Sequence, residues 1–447
     1  MDDRRTALWA DLTLNLVTPT FLGVPPGLDG QLFPVGSLRG VLRYWLRALV
    51  GAHVGNGLGE LARAESEVFG AASGAGPPSQ ILLRAAGRIR YTAPTGQLPW
   101  MPAGRERDRA PFVRYLLGPG LYDPEGRQLT RPFIAPGTEV ALRVRNIGRA
   151  EHHVLFLAAL WALRTFGGLG ARARRGFGTV ALHDGHTLAN VPLWFGGDAS
   201  ALPRVLADVG QALAALLRQP TGSRPEVDHT SRPRYPYFDP TTPPSWHLEG
   251  DDSLVNGGPE AVGLALAALG SQLRSFRVGA AGPPGDDYQA VVEPYLNVGT
   301  VPADAGSAEP GYIETAALGL PVTFSDPVPG GTGRRAAIVE PFLLPVATTP
   351  PRSPLGSDPR ALARPTRIVE TPLRRASPLW LRVYPDRSQW RLRSLAFLAE
   401  WLPAEAQLRL TDTTNTAKAQ PHTRRSRVAV PKQPPERVDD ELRRWFP

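Results

Sequence analysis

The chain contains no cysteine. Disulfides, cysteine-ligated zinc and thiolate nucleophiles are therefore excluded. Lysine is almost as scarce: of 50 basic residues only Lys418 and Lys432 are lysines, and the rest are arginine. Long apolar runs are missing too. The longest, Val154 to Leu163, is too short to cross a bilayer. Met1 to Leu8 carries two aspartates and two arginines around no apolar core, so it does not read as a signal peptide. These absences lead to the expectation of a soluble cytoplasmic protein with no membrane partner. No H-E-x-x-H or comparable ligand spacing occurs, so neither a metal nor a cofactor is expected.

What is present is positive charge. The formal net charge is +9 and the isoelectric point about 10.2. A balance of this kind favours a polyanionic partner. Arginine suits that role, because its planar fork binds phosphate bidentately and stacks on bases. A length of 447 residues exceeds what one core usually serves, so two domains are expected. The expected division is 1–193, a linker region at 194–234, and 235–447 with a basic tail.

Leu8 to Val17 alternates apolar and polar residues, as a half-buried strand does. Ser37 reads as a helix N-cap before Leu38 to Val50. Ile81 to Ala85 and Glu139 to Val144 read as strands, His152 to Phe166 as a helix, and Phe177 to Leu182 as a returning strand. The order fits an α+β, ferredoxin-like sheet. The second half starts a similar cycle: a helix near 259–276, strands near 316–324 and 379–384, and a helix near 394–402. Proline- and glycine-rich inserts interrupt it at 279–287 and 347–365. The tail at 411–433 is polar and basic, expected to be partly disordered.

Two segments carry chemistry. The first is S-L-R-G-V-L-R-Y-W-L-R-A-L, from Ser37. Arg39, Arg43 and Arg47 recur every four residues as one stripe beside an apolar face. Gly40 lies near the helix start, where free amides and the dipole favour an anion. A phosphate contact and an ordinary solvated arginine face both fit. The second segment is G-G-L-G-A-R-A-R-R-G-F-G, Gly167 to Gly178. Gly167, Gly168, Gly170, Gly176 and Gly178 allow positive φ and let the backbone approach a ligand without a Cβ in the way, and successive amides can cradle phosphate oxygens. Arg172, Arg174 and Arg175 add planar charge. Phe177 is placed either to stack on a base or to plug the core. A helix precedes this turn and a strand follows it, which is the reverse of a nucleotide-binding P-loop or Rossmann turn.

With both segments in hand, the chain resembles the RAMP superfamily of CRISPR-associated proteins. Glu67-Val68-Phe69-Gly70 is similar to that family's E-x-x-F-G step, and Thr18-Pro19-Thr20-Phe21-Leu22-Gly23 to its T-P-L-F-L-G opening. Gly319-Leu320-Pro321 and Arg374-Arg375-Ala376-Ser377-Pro378-Leu379 resemble the first-numbered RAMP subunit of type III-B (Cmr) effector complexes. Tyr44 departs from the pattern, where phenylalanine is common. The resemblance implies two tandem ferredoxin-like (RRM-like) RAMP domains with proline- and glycine-rich inserts. It implies a place at the 3′ end of a guide crRNA, beside other RAMP subunits including the repeating backbone subunit, with target RNA nearby. By this carry-over Ser37, Arg39, Gly40, Arg43, Arg47, the Gly167–Gly178 turn, Arg374 and Arg375 become RNA contacts.

Relatives in the superfamily include ribonucleases, so catalysis is weighed. A metal-free ribonuclease wants a group titrating near neutrality, and of the eight histidines His53, just past the arginine helix, is placed best. Superfamily members that cut target use an aspartate in the loop after the first strand, where Asp29 lies here. Its surroundings, P-P-G-L-D-G, suit a turn residue equally well. Asp251-Asp252 and Asp286-Asp287 read as solvated pairs. The expectation is a non-catalytic RNA-binding subunit, with a ribonuclease using His53 or Asp29 as the alternative.

Overall fold

The computed structural model describes residues 9–23, 31–71, 76–101, 104, 106–217, 231–239, 246–278, 322–327, 334–343, 371–372, 376–400, 402–403, 405–412, 427–430 and 435–446. Asp29, Asp286, Asp287, Arg374, Arg375, His229 and His422 lie outside the described residues. The fold mixes helices and sheets in two compact units. One comprises residues 1–276, 378–399 and 446–447; the other comprises 277–377 and 400–445. This division does not fall at the expected 194–234 linker, because the helix there belongs to the first core.

In the first unit the elements run β1 (Ala10–Leu16), α1 (Val35–Val54), α2 (Leu58–Phe69), β2 (Ile81–Ala85), α3 (Glu106–Leu117), β3 (Thr138–Asn146), α4 (Ala150–Phe166), β4 (Val180–Leu182), α5 (Leu202–Leu217), β5 (His247–Asn256), α6 (Val262–Val278), β6 (Leu379–Asp386) and β7 (Gln389–Phe397). The first sheet has the order β2-β3-β1-β4, with every neighbouring pair antiparallel. Setting α2 and α3 aside, its connectivity is a split β-α-β: each crossover helix returns the chain past an intervening strand. The alternation in β1 decides its faces. Leu12, Leu14 and Leu16 are buried against α1 and α4, while Asp11 faces away and accepts a bond from the Arg143 guanidinium on β3.

Helix α4 is the centre of this core. Leu155 to Leu163 are all buried, as is Phe166. α5 closes one flank by burying Leu202, Val205, Leu206, Val209, Leu213 and Leu216 and exposing Arg204 and Gln211. Residues 199–217 are long and apolar enough to span a membrane by composition, with half of that window buried. The one-sided pattern is that of an amphipathic core helix.

A three-stranded sheet β6-β7-β5 completes the unit. Residues 394–397, expected in a helix, are instead the end of strand β7. Trp390, Leu392 and Ser394 are buried on alternate positions, and β7 pairs along its length with both neighbours. These cross-strand pairings outweigh a local pattern that reads equally well as helical. The second unit holds a five-stranded antiparallel sheet: Val322–Pro327, Arg334–Leu343, Ala406–Asp412 and Arg427–Val430 in that order, with Thr371–Pro372 beside the second. Residues 427–430 of the basic tail are therefore paired strand. Arg409 faces Glu340 across two of these strands at 2.9 Å.

Candidate nucleic-acid interface

Helix α1 begins two residues before the expected cap. Pro34 precedes it, and Ser37 lies within the first turn, where its amide donates to the Pro34 carbonyl. Among the described residues no side chain caps the helix, and no acidic residue stands in its first turn. Gly36, Ser37 and Gly40 are exposed, and a Cβ at Gly36 or Gly40 would meet nothing within 4 Å. Arg39 is half-buried, and its Nε is covered and without a hydrogen-bond partner among the described residues. The helix start thus presents a positive dipole end beside Arg39, whose Nε has no partner among the described residues, with no carboxylate in its first turn.

The rest of the stripe is committed internally. The Arg43 guanidinium donates to Glu65 at 2.5 Å and to the carbonyls of Phe69 and Gly70 at 2.8 and 2.7 Å. Arg47 donates to the other oxygen of Glu65 at 2.9 Å. Arg43 is thus a bolt between α1 and the end of α2, where the E-S-E-V-F-G segment turns, so its guanidinium is engaged within the protein. Arg47 keeps an outward part, with 42% of its side chain exposed.

The Gly167–Gly178 turn closes on the protein itself. Phe177 is fully buried, 5.8 Å from the Phe21 ring in an edge-on arrangement. It plugs the core and does not face a base, which corrects its placement among the RNA contacts. Gly167 packs against the Trp45 indole, Gly168 against the 177–178 backbone, and Gly176 against Leu266, Leu269 and Val383. At Gly170 (φ +84°) and Gly178 (φ +68°) a Cβ would overlap the carbonyls of Phe21 and Leu169. The close approach these glycines allow is to neighbouring backbone, in a knot stitched by Ala171 N–H to Phe21 O, Gly178 N–H to Pro19 O and Leu169 N–H to Gly178 O. Gly170 is exposed at its tip.

The three arginines of the turn are half-buried and engaged. Arg172, itself at φ +63°, donates to the Leu117 carbonyl at 2.7 Å. Arg175 reaches the Leu116 carbonyl. Arg174 lies over Trp380 at 4.6 Å and over Tyr44 at 5.5 Å, and the Trp380 indole N–H donates to the Tyr44 hydroxyl. Sequence reading missed this cage, since Trp380 stands 336 positions from Tyr44 and nothing local announces the pairing.

His53, His152 and His153 make internal hydrogen bonds. His53 bonds the Leu206 carbonyl at 2.8 Å, tying α1 to α5. His152 Nδ1 accepts from the Arg149 amide at the start of α4, and His153 bonds the Ala189 carbonyl. Burial holds both imidazoles below the usual histidine pKa. The sign follows: the unfolded chain takes up protons near pH 6.5 while the folded chain does not, so stability is complete above that pH and falls as acid is added. Thermal midpoints are expected to drop between pH 7 and pH 5, and less steeply in a His152→Asn, His153→Asn double variant. No cluster of three metal-ligating side chains occurs among the described residues.

The chain has four similarities to known proteins. The family profile described as the RAMP superfamily matches residues 13–181, a span that starts within β1, takes in both arginine segments and ends within β4. The curated CRISPR system Cmr subunit Cmr1-2 of Pyrococcus furiosus is 26% identical over 182 residues, covering 37% of this chain and 91% of the relative. Among solved structures, apo Cmr1 from Pyrococcus furiosus aligns with 89% of this chain and 90% of its own, at 16% identity and a TM-score of 0.45. A chain of the type III-B Cmr-beta complex bound to cognate target RNA aligns with 87% of this chain and 94% of its own, at 12% identity and a TM-score of 0.39. Residues 13–181 are thus similar to the RAMP superfamily, and part of the chain is similar to a Cmr subunit.

Proposed function

We propose that the protein is a non-catalytic RNA-binding subunit of a cytoplasmic type III-B CRISPR ribonucleoprotein. In this reading it is built as two tandem ferredoxin-like RAMP domains. It sits near the 3′ end of the guide crRNA beside other RAMP subunits, including the repeating backbone subunit, and helps capture complementary target RNA. The observation that carries it is the start of α1, where a helix end with no side-chain cap among the described residues and no acid in its first turn meets Arg39, whose Nε has no partner among the described residues, between two open glycines. Such a surface holds phosphate backbone rather than base edges. The similarity to a Cmr subunit supports the choice of RNA as the polyanion.

The test is salt dependence. The full chain should bind single-stranded RNA with an affinity that falls linearly, in logarithms, with salt. Arg39→Ala should reduce that slope by about 0.7 for one lost phosphate contact. An unchanged slope would mean that Arg39 does not touch phosphate. His53, held by Leu206, is poorly placed as a general base. The bound RNA is expected to remain intact with and without magnesium; scission abolished by Asp29→Ala would replace this reading with a ribonuclease.

A further inference from the structure

One face of the first sheet is buried against α1 and α4; the other carries a second group of arginines. On that face β1 turns out Asp11, Thr13 and Asn15, each exposed or half-buried. The register then sets two arginines side by side. Arg84 on β2 pairs with Arg143 on β3, and Arg143 in turn with Asp11 on β1. Like charges directly opposite one another weaken a sheet. Asp11 answers Arg143, accepting from its Nε at 3.0 Å, with both side chains open to solvent. Arg145, further along β3, stands opposite Leu82. Among the described residues no carboxylate pairs with Arg84 or Arg145. Glu139 shares this face but sits at the other end of β3, opposite Asn15.

At this arginine-rich end the charge meets an aromatic ring. The exposed Arg84 reaches across β3 and lays its guanidinium 4.2 Å from the centre of the half-buried Trp9 indole, just before β1. An arginine lying on an indole at an open surface, with two more arginines beside it, has the parts of a single-strand platform. The cations follow a phosphate backbone, and the planar groups offer a base a surface to stack on. A carboxylate-rich protein surface would pair with the arginines and leave the planar pair unused. The net charge of +9 favours a polyanion of the same kind. We infer that the outward face of the first sheet is a further RNA contact, where single-stranded backbone crosses Arg143 and Arg145 and one base stacks on the Arg84–Trp9 pair. The choice of RNA as the polyanion rests on the RNA-binding reading above; the face itself involves no residue of α1.

Salt titrations of the full-length chain with a fluorescein-labelled single-stranded RNA test it. The Arg84→Ala, Arg145→Ala double variant removes two cations and should lower the log–log slope by about 1.4. Trp9→Leu should weaken RNA binding by on the order of tenfold, and binding of the matching abasic ribose-phosphate oligomer not at all. Trp9→Phe, which keeps a planar ring, should restore most of that loss. Should Trp9→Leu or the double variant fail to fold, Arg84→Ala alone, at an exposed position, still reads a slope lowered by about 0.7. An unchanged slope in the sheet variants, with Arg39→Ala still lowering it, overturns the sheet contact and leaves the α1 reading standing. A slope lowered by the sheet variants but not by Arg39→Ala supports the sheet contact and overturns the helix start. No RNA binding by the wild-type chain overturns both. An equal loss on the abasic oligomer in Trp9→Leu overturns the stacked base. Variants that keep RNA binding but lose binding to polyglutamate overturn the inference and assign the face to an acidic protein surface.

Discussion

A Phe177→Ala chain is expected to lose about 3–5 kcal/mol of unfolding free energy, with RNA affinity of the folded fraction unchanged. The phenyl ring is fully buried and lies edge-on to Phe21, which in turn contacts Trp100 and Phe133. Removing it leaves a void where the 17–23 and 131–136 segments converge, with rigid rings that cannot collapse into the gap. Urea unfolding followed by far-ultraviolet circular dichroism reads the loss directly. The opposite pattern, intact stability with base stacking weakened by about 1–3 kcal/mol, would show that the ring reaches RNA.

Gly178→Ala should be of similar severity for a different reason. The residue sits at φ +68°, and its new methyl group would overlap the Leu169 carbonyl. Left-handed backbone costs an ordinary residue roughly 1–2 kcal/mol, and forced overpacking adds about 1–3 kcal/mol. The backbone cannot yield cheaply, because Gly178 donates to Pro19 and accepts from Leu169. A total loss of roughly 2–5 kcal/mol is therefore expected. Gly40→Ala is the internal control: with open space around it and a helical backbone, it should raise stability by about 0.5–1 kcal/mol. A thermal melt of the two variants beside the wild type checks both signs.

These two residues show where sequence reading stops. The β1 alternation, the helix at 152–166 and the returning strand were legible because each is a local periodicity with one dominant partner face. The arginine stripe was legible as a stripe, but not as a division of labour. Arg43 differs from Arg39 only in what lies opposite, namely Glu65 and the carbonyls at the end of α2, and no spacing rule encodes that. Glycine richness signalled approach to a ligand, whereas the close approach in the structure is to the chain's own Pro19–Phe21 backbone. Residues 394–397 failed as a helix because their strand register depends on β5, far earlier in the sequence. Trp380, which caps Arg174, is invisible to any window centred on the turn.

The discontinuity of the first unit has a consequence for synthesis. Its core includes Trp45, but Trp380, Leu395 and Phe397, which share that core, are translated after the 101 residues from 277 to 377. At about 5–20 residues per second, roughly 5–20 s pass on the ribosome between the end of α6 and the arrival of Trp380. During that interval an apolar face of the RAMP segment has no covering strands. Nascent chains released or stalled there should be the ones that recruit chaperones, and a chain truncated after residue 276 should aggregate where the full-length protein does not.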